Sequence, residues 1–195
     1  MAMDLVKGSF NEKWRLWWTP KGRLIYPDLF EASLMKGETD QSRAAYRATL
    51  LFPKTANLDL LAKAVNDKVA EAFGATAKGI KKPFLKTEDS DRLAELAADY
   101  PIFVRVSTRQ KPEVATANGK PVTDPAEVYG GRWAIISVNP GNWNHATGGK
   151  GISLYMNHVI LLDHDDPIGA SRPRLSDAYE PIEGADTVGS ASELF

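Results

Sequence analysis

Apolar and polar positions alternate in short runs along most of this chain, and proline or glycine interrupts each run. Residues 14–19 read as a strand, Pro20-Lys21-Gly22 as a turn, and residues 23–26 as a return strand stopped by Pro27. Residues 28–42 read as a polar loop, and 43–52 as a strand ended by Pro53. A helical period stands out once. Leu58, Leu61, Val65, Val69 and Ala72 predict a helix that Asn57 can cap and Gly74 stops. A linker with Lys78, Lys81, Lys82 and Lys86 follows, then a short helix near 90–98 from Leu93, Leu96 and Ala97. Residues 102–109 form the strongest strand. Ile102, Val104, Val106 and Thr108 share one face, and Phe103, Arg105, Ser107 and Arg109 the other. Further strands are expected at 132–139, ended by Pro140-Gly141, and at 152–162, with a loop over 142–149 between them.

The order is several strands, one helix with a long excursion, then three more strands. That predicts a mainly β chain with one or two helices (α+β), built as an antiparallel barrel or α+β domain and not as a doubly wound sheet. Residues 1–13 are expected to be a flexible N-terminus and 14–170 a single domain. From Asp163 onward periodicity is lost, and 171–195 read as a disordered acidic tail.

Composition narrows the chemistry. The chain has 195 residues and no cysteine, which excludes disulfides, thiolate metal sites and a cysteine nucleophile. No apolar run reaches the length of a membrane span, and the start at Met1 lacks a signal peptide's basic segment and apolar core. A cytoplasmic protein is expected. The net charge of −1 hides an asymmetry: residues 175–195 carry Asp177, Glu180, Glu183, Asp186 and Glu193 and no base. The 20 remaining acids face 24 bases, so a mildly basic body precedes an anionic appendix, a pattern suited to binding a polyanion.

The strand at 102–109 is the most informative feature, because its second face combines a ring with two guanidiniums. Single-stranded nucleic acid is bound by such surfaces, where bases stack on rings and cations follow phosphates. Phe103 packed beneath a loop is the bland alternative. Tyr46, Arg47, Arg132, Trp133, Trp143, Lys150 and Tyr155 lie on or beside other expected strands and supply more of the same chemistry. Arg105, Arg109, Lys111, Arg132 and Lys150 are the expected phosphate contacts. Tyr46, Phe103, Trp133 and Trp143 are the expected stacking rings. Among Trp14, Trp17 and Trp18, at least one ring should be core and one outside.

Enzyme signatures are lacking. His164-Asp165-Asp166 matches no metal-ligand spacing, and residues 147–151 lack the leading glycine and final Ser/Thr of a phosphate loop. His145, His158 and Ser107 fit no triad signature. No catalytic residue, metal or cofactor is expected.

A set of short segments carries a family resemblance. They are residues 26–31 (Tyr-Pro-Asp-Leu-Phe-Glu), 46–54, Val104-Arg105-Val106-Ser107 with Lys111-Pro112, Asp124-Pro125, Tyr129-Gly130-Gly131, 150–154, Asn157-His158-Val159 and 166–169. Over about residues 24–170 the chain resembles the phage single-stranded-DNA-binding proteins, formerly classed as a domain of unknown function. The resemblance implies an OB-fold that coats single strands in phage DNA replication and recombination. It gives Arg105 a DNA-facing role and draws in Tyr46, Lys111 and Lys150. Glu193-Leu194-Phe195 is similar to the acidic, phenylalanine-terminated tips of bacterial and phage single-strand-binding proteins. That implies a tail that recruits replication or recombination proteins and competes with DNA. Leu194 stands where proline is usual. The rival expectations are a phage protein-interaction module with an OB-like barrel, and a metal-dependent nuclease.

Overall fold

The computed structural model describes residues 3–168. The described residues are mainly β with one α-helix. Its order is β1 (Ser9–Asn11), β2 (Leu16–Trp18), β3 (Gly22–Ser33), β4 (Ala45–Phe52), α1 (Asp59–Phe73), β5 (Phe84–Lys86), β6 (Ile102–Thr108), β7 (Glu113–Thr116), β8 (Trp133–His145) and β9 (Gly149–Leu161). Strand β3 pairs with β4, β4 with β6, β6 with β9, β9 with β8, and β8 returns to β3. These five strands make a closed circuit. The β1–β2 hairpin adds to β8, β7 lies beside β9, and β5 lies against β6. The expectation of an all-antiparallel arrangement fails for a topological reason. Five strands in a ring cannot alternate direction all the way round, so one pairing must be parallel, and it is β6–β9. The β7–β9 pairing is parallel too.

The circuit sorts side chains by the two-residue period of a strand. Inside lie Leu24 and Leu29 of β3, Ala48, Leu50 and Phe52 of β4, Val104 and Val106 of β6, Ala134, Ile136 and Val138 of β8, and Ile152, Leu154 and Met156 of β9. Burying each large aliphatic or aromatic side chain contributes about 1.5–3 kcal/mol. Helix α1 lays Leu61 and Val65 into this cluster, with Leu58, Val69 and Phe73 at its margin. Asn57 accepts the Asp59 N–H through Oδ1 at 2.8 Å, and Gly74 ends the helix at φ 88°. A smaller cluster forms outside the circuit, where Ile25, Leu51 and Phe103 meet Leu93 from the excursion. That excursion contains short 3-10 turns at Thr87–Asp89 and Ala94–Leu96 where the sequence pattern suggests a helix over 90–98.

Two strands change phase partway. In β3, Leu24 and Leu29 both face inward although five positions separate them. Tyr26 absorbs the odd step at φ 49°, and the register with β4 shifts between Ile25 and Asp28. Pro27 therefore sits within a bulge instead of ending the strand. In β9, Met156 pairs with Val138 and His158 with Ser137, leaving Asn157 as the extra residue. Pro140-Gly141 does not end β8 either. Beyond Val138 this strand has lost its β2 neighbour and pairs only with β9, so a missing N–H is tolerated there. The expected loop at 142–149 is instead the far part of a long β8–β9 hairpin.

Both ends of the described chain are better held than their composition suggests. Within the expected flexible N-terminus, Ser9–Asn11 pairs with β2 and Phe10 stacks on Trp17 at 4.2 Å between ring centroids. After β9, residues 163–168 form a strap. The Arg23 guanidinium binds Asp165 Oδ2 at 2.5 Å and the carbonyls of Gly131 and Asp166. Trp133 Nε1 donates to the same carboxylate at 2.8 Å. The acidic tail, 171–195, lies outside the described residues. Among the described residues, no helix is long and apolar enough to cross a membrane.

The Asp166 N–H, the Trp133 indole and the Arg23 charge hold the Asp165 carboxyl below its ordinary pKa. A depressed carboxylate adds stability above its unfolded-state pKa and loses it as pH falls through the folded value. The melting-temperature advantage of the wild type over Asp165→Asn should therefore be present at pH 7 and shrink through the acid range below ordinary carboxylate titration. Thermal unfolding of both proteins from pH 7 to pH 3 measures it.

Candidate nucleic-acid interface

The outward positions of the circuit form one continuous face. Arg47 on β4 is opposite Ser107 on β6, Ser107 is opposite Tyr155 on β9, and Tyr155 is opposite Asn139 on β8. One level along, Thr49 is opposite Arg105. Tyr26, thrust outward by the β3 bulge, is 51% exposed at the rim. Tyr26, Arg47, Thr49, Arg105 and Ser107 line a cleft of about 320 Å³ with Asp28, Met35 and Ser153, and Tyr155 and Asn139 continue the face beyond it. Positive φ is uncommon away from glycine, and its cost of order 1–3 kcal/mol is typically retained at functional sites.

Arg105 is exposed, and its guanidinium lies 5.5 Å from the Phe103 ring centroid. Among the described residues, no carboxylate lies within ion-pair distance of Arg105, Arg109, Lys111 or Lys150. Arg109 nonetheless feels Asp40, whose pKa is lowered mainly by hydrogen bonds from Ser42, with charge contributions from Arg43 and Arg109. Lys111 Nζ sits 5.9 Å from the Phe30 ring, and Lys150 Nζ the same distance from Phe73. Arg105 also borders a second cleft of about 400 Å³ that contains Lys86, Arg92, Asp89 and Asp91. Its mixed charges make it a poorer track for a polyanion.

The face continues onto the β8–β9 hairpin. Tyr155, 46% exposed, lies across Gly141, and half-buried Trp143 lies across Gly151. Lys81 Nζ is 6.0 Å from the Trp143 ring, and the His145 ring 5.4 Å away. The surface is thus one of rings, hydroxyls and cations, with the Asp28 carboxylate at its rim and without a nucleophile–base pair. Among the described residues, no three His, Asp or Glu side chains gather as a metal site.

A model of the Enterobacter phage Enc34 ssDNA-binding protein family matches residues 18–188. The chain belongs to that family. No curated protein matches the sequence. Among solved structures, the single-stranded DNA-binding protein from bacteriophage Enc34 in complex with ssDNA is similar at a TM-score of 0.62 and 19% identity. It covers 86% of this chain and 100% of that one. Another structure of the Enc34 protein gives 0.61 at 20% identity, over 85% and 90% of the two chains. The gp2.5 single-stranded DNA binding protein encoded by bacteriophage T7 gives 0.54 at 14% identity, over 89% and 98%.

Within this family member, several residues expected at the site have other employment. Phe103 is 2% exposed and sits in the outer cluster beneath the excursion, so it offers no stacking face. Arg132 is 5% exposed; Nε donates to the Leu162 carbonyl at 3.1 Å and Nη1 to Glu127 Oε2 at 2.9 Å. It ties the end of β9 to the 125–132 loop and cannot reach a phosphate. Trp133 is pinned by Asp165 and flanked by Lys21 and Arg23 at 5.0 and 5.2 Å from its ring centroid. Arg47 borders the cleft, but its Nη1 donates to the carbonyls of Ser33 and Ala45, holding the ends of the 34–44 loop together. Tyr46 turns inward against the main cluster. Of the three early tryptophans, Trp17 packs on the core, Trp18 stacks on His158 at 6.1 Å, and Trp14 lies in the hairpin turn, 66% exposed.

Arg105, Arg109, Lys111, Trp143 and Tyr155 remain accessible; Lys150 is exposed too, but alternation puts it on the hairpin's other side, over Phe73 and away from Tyr155 and Trp143. Tyr26, Ser153 and Lys81 join them. The signal for Tyr26 was the Tyr-Pro-Asp step between inward-facing Leu24 and Leu29, which demands a bulge. Nothing in the local sequence marks Lys81 beyond its charge.

Phe103→Ala should cost about 3–5 kcal/mol of stability, the range for emptying a buried aromatic site. Urea denaturation measures it, and a loss below 1 kcal/mol would contradict the burial described.

Proposed function

We propose that this protein is a non-catalytic, sequence-tolerant binder of single-stranded DNA that protects and presents the strand during phage DNA replication or recombination in the infected cell. The observation carrying the reading is the outward face running from Tyr26 through Arg105 and Ser107 to Tyr155, which joins exposed rings to cations without ion-pair partners. Arg105, Arg109 and Lys111 meet phosphates. Tyr26, Tyr155 and Trp143 stack on bases. Family membership supports the reading, since the Enc34 protein in the similar structure is held in complex with ssDNA. The five-strand circuit with one parallel pairing supports assigning residues 14–170 to an OB-like barrel. The face carries few groups suited to reading base edges, so affinity rests on stacking and phosphate contacts. The acidic segment 171–195, ending in Glu193, Leu194 and Phe195, competes for the cationic face and recruits partner proteins.

A second reading, a protein-interaction module built on the same barrel, has its own observation. A mainly apolar groove of about 440 Å³ lies on another part of the surface, between Trp14, Leu16 and Trp18 on one side and Ala115, His158 and Ile160 on the other.

Fluorescence anisotropy of labelled oligothymidine across a salt series separates the two. Single-strand binding should weaken with salt at a log–log slope of about −0.7 per phosphate contact. Arg105→Glu should lower affinity and flatten that slope by more than one contact, because it removes a cation and adds an anion. A chain ending at Arg174 should bind more tightly than the full chain at low salt. Absence of binding by both chains, even at low salt, would leave the interaction module as the better reading.

A further inference from the structure

Glycine within a strand needs a reason. It weakens the strand by roughly 0.5–1 kcal/mol relative to alanine and brings no side chain to pack. Gly141 on β8 and Gly151 on β9 lie inside the long hairpin, and neither has a positive φ. Backbone conformation therefore does not call for glycine at either position. The neighbouring rings do. A Cβ added at Gly141 would lie 2.7 Å from Tyr155 Cδ2 and closer still to Cε2, and no other residue comes closer than 3.4 Å. A Cβ added at Gly151 would lie 2.6 Å from Trp143 Cε2 and 2.8 Å from the Lys81 carbonyl oxygen. Tyr155 is opposite Asn139, Ser153 opposite Gly141, and Gly151 opposite Trp143, so both rings stand on the same face of the hairpin. Each occupies the hollow left by the other strand's glycine.

We propose that Gly141 is a positioning residue for base stacking, its missing side chain seating the Tyr155 ring against the sheet, and that Gly151 seats Trp143 in the same way. The inference rests on reading this face as the single-strand surface. A ring lowered onto a glycine keeps its far side open and loses the freedom to swing, so a base meets a platform already in place. The two seats continue the line of the cleft from Ser107 and Tyr155 toward Trp143 and Lys81.

A purely structural role is the alternative, since rings that cover strand glycines also stabilise sheets. Gly141 is the cleaner test, because only a side chain obstructs its Cβ, whereas Gly151→Ala would also press on the Lys81 backbone. Labelled oligothymidine is titrated into the full chain as wild type, Gly141→Ala, Tyr155→Phe, Tyr155→Leu and the Gly141→Ala/Tyr155→Leu double variant, with thermal unfolding of each. Tyr155→Phe should bind like the wild type. Tyr155→Leu and Gly141→Ala should each weaken binding by roughly five-fold or more, the low end of one aromatic–base stack. The double variant should lose no more than the weaker single, and Gly141→Ala should unfold within a few degrees of the wild type. The proposal is overturned if Gly141→Ala binds normally, if its loss adds to that of Tyr155→Leu, or if its loss only follows a lower folded fraction. Should Gly141→Ala fail to fold, normal binding by Tyr155→Leu would overturn it on its own. A wild type that ignores oligothymidine at low salt sinks the parent reading, whereas a binding wild type matched by Tyr155→Leu sinks this inference alone.

Discussion

The pairing of β6 with β9 is the contact on which the rest of the structure depends. It spans only Val106 opposite Leu154 and Ser107 opposite Tyr155, yet it closes the five-strand circuit. Without it, β4–β6 and β8–β9 would present open edges, and the interior formed by Val104, Val106, Leu154 and Met156 would face water. Closure with an odd number of strands forces that pairing to be parallel. The forced parallel step puts the middle of β9 beside the end of β6, and so sets Ser107 next to Tyr155. The binding face is thus a by-product of how the ring is sealed.

Closure also leaves every strand with one inward and one outward side, and the outward side is then divided. Around Ile25, Leu51 and Phe103 it is covered by the 87–100 excursion, anchored by Leu93. Around Arg47, Arg105 and Ser107, and on to exposed Tyr155, it is left open. A single strand, β6, changes from covered to open between Phe103 and Arg105, two residues on the same side. The cation–ring contact between them lies on that boundary. The strap at 163–168 completes the covered half, since Arg23 holds Asp165 and the chain then sets Ile168 against the outer cluster.

Much of the fold was legible in the sequence, and the misreadings have a common cause. Helix α1 and strands β4 and β6 matched their patterns closely, because an uninterrupted period of 3.6 or 2 needs no tertiary information. The two bulges broke that logic. Apolar positions at Leu24 and Leu29, and at Met156 and Val159, fall out of phase by one, and only an extra residue in the strand reconciles them. Reading Pro27 and Pro140 as terminators was wrong because a proline's missing N–H matters only where a neighbouring strand would accept it. The site was legible in its chemistry but not in its assignments. Alternation identified the outward residues of β6, but it could not say which of them another segment would cover.

The arginines show why residue type alone could not settle the site. Arg23 and Arg132 are buried cations whose donors are taken up by carbonyls and carboxylates of their own chain. A guanidinium in that position satisfies several backbone oxygens at a chain crossing, a task its fixed fork of donors suits better than a lysine would. Arg105 lies midway along β6, opposite Thr49 of β4 and between the stretches of β6 that pair with β5 and β9, and no loop crosses the sheet to offer it carbonyls. With nothing of its own chain to bind, it turns to solvent. The difference between a structural arginine and one available to a phosphate is therefore set by where backbone acceptors are left over. In this fold they are left over at strand ends and loop crossings, which take up Arg23, Arg47 and Arg132 and leave Arg105 free on the sheet's outward face.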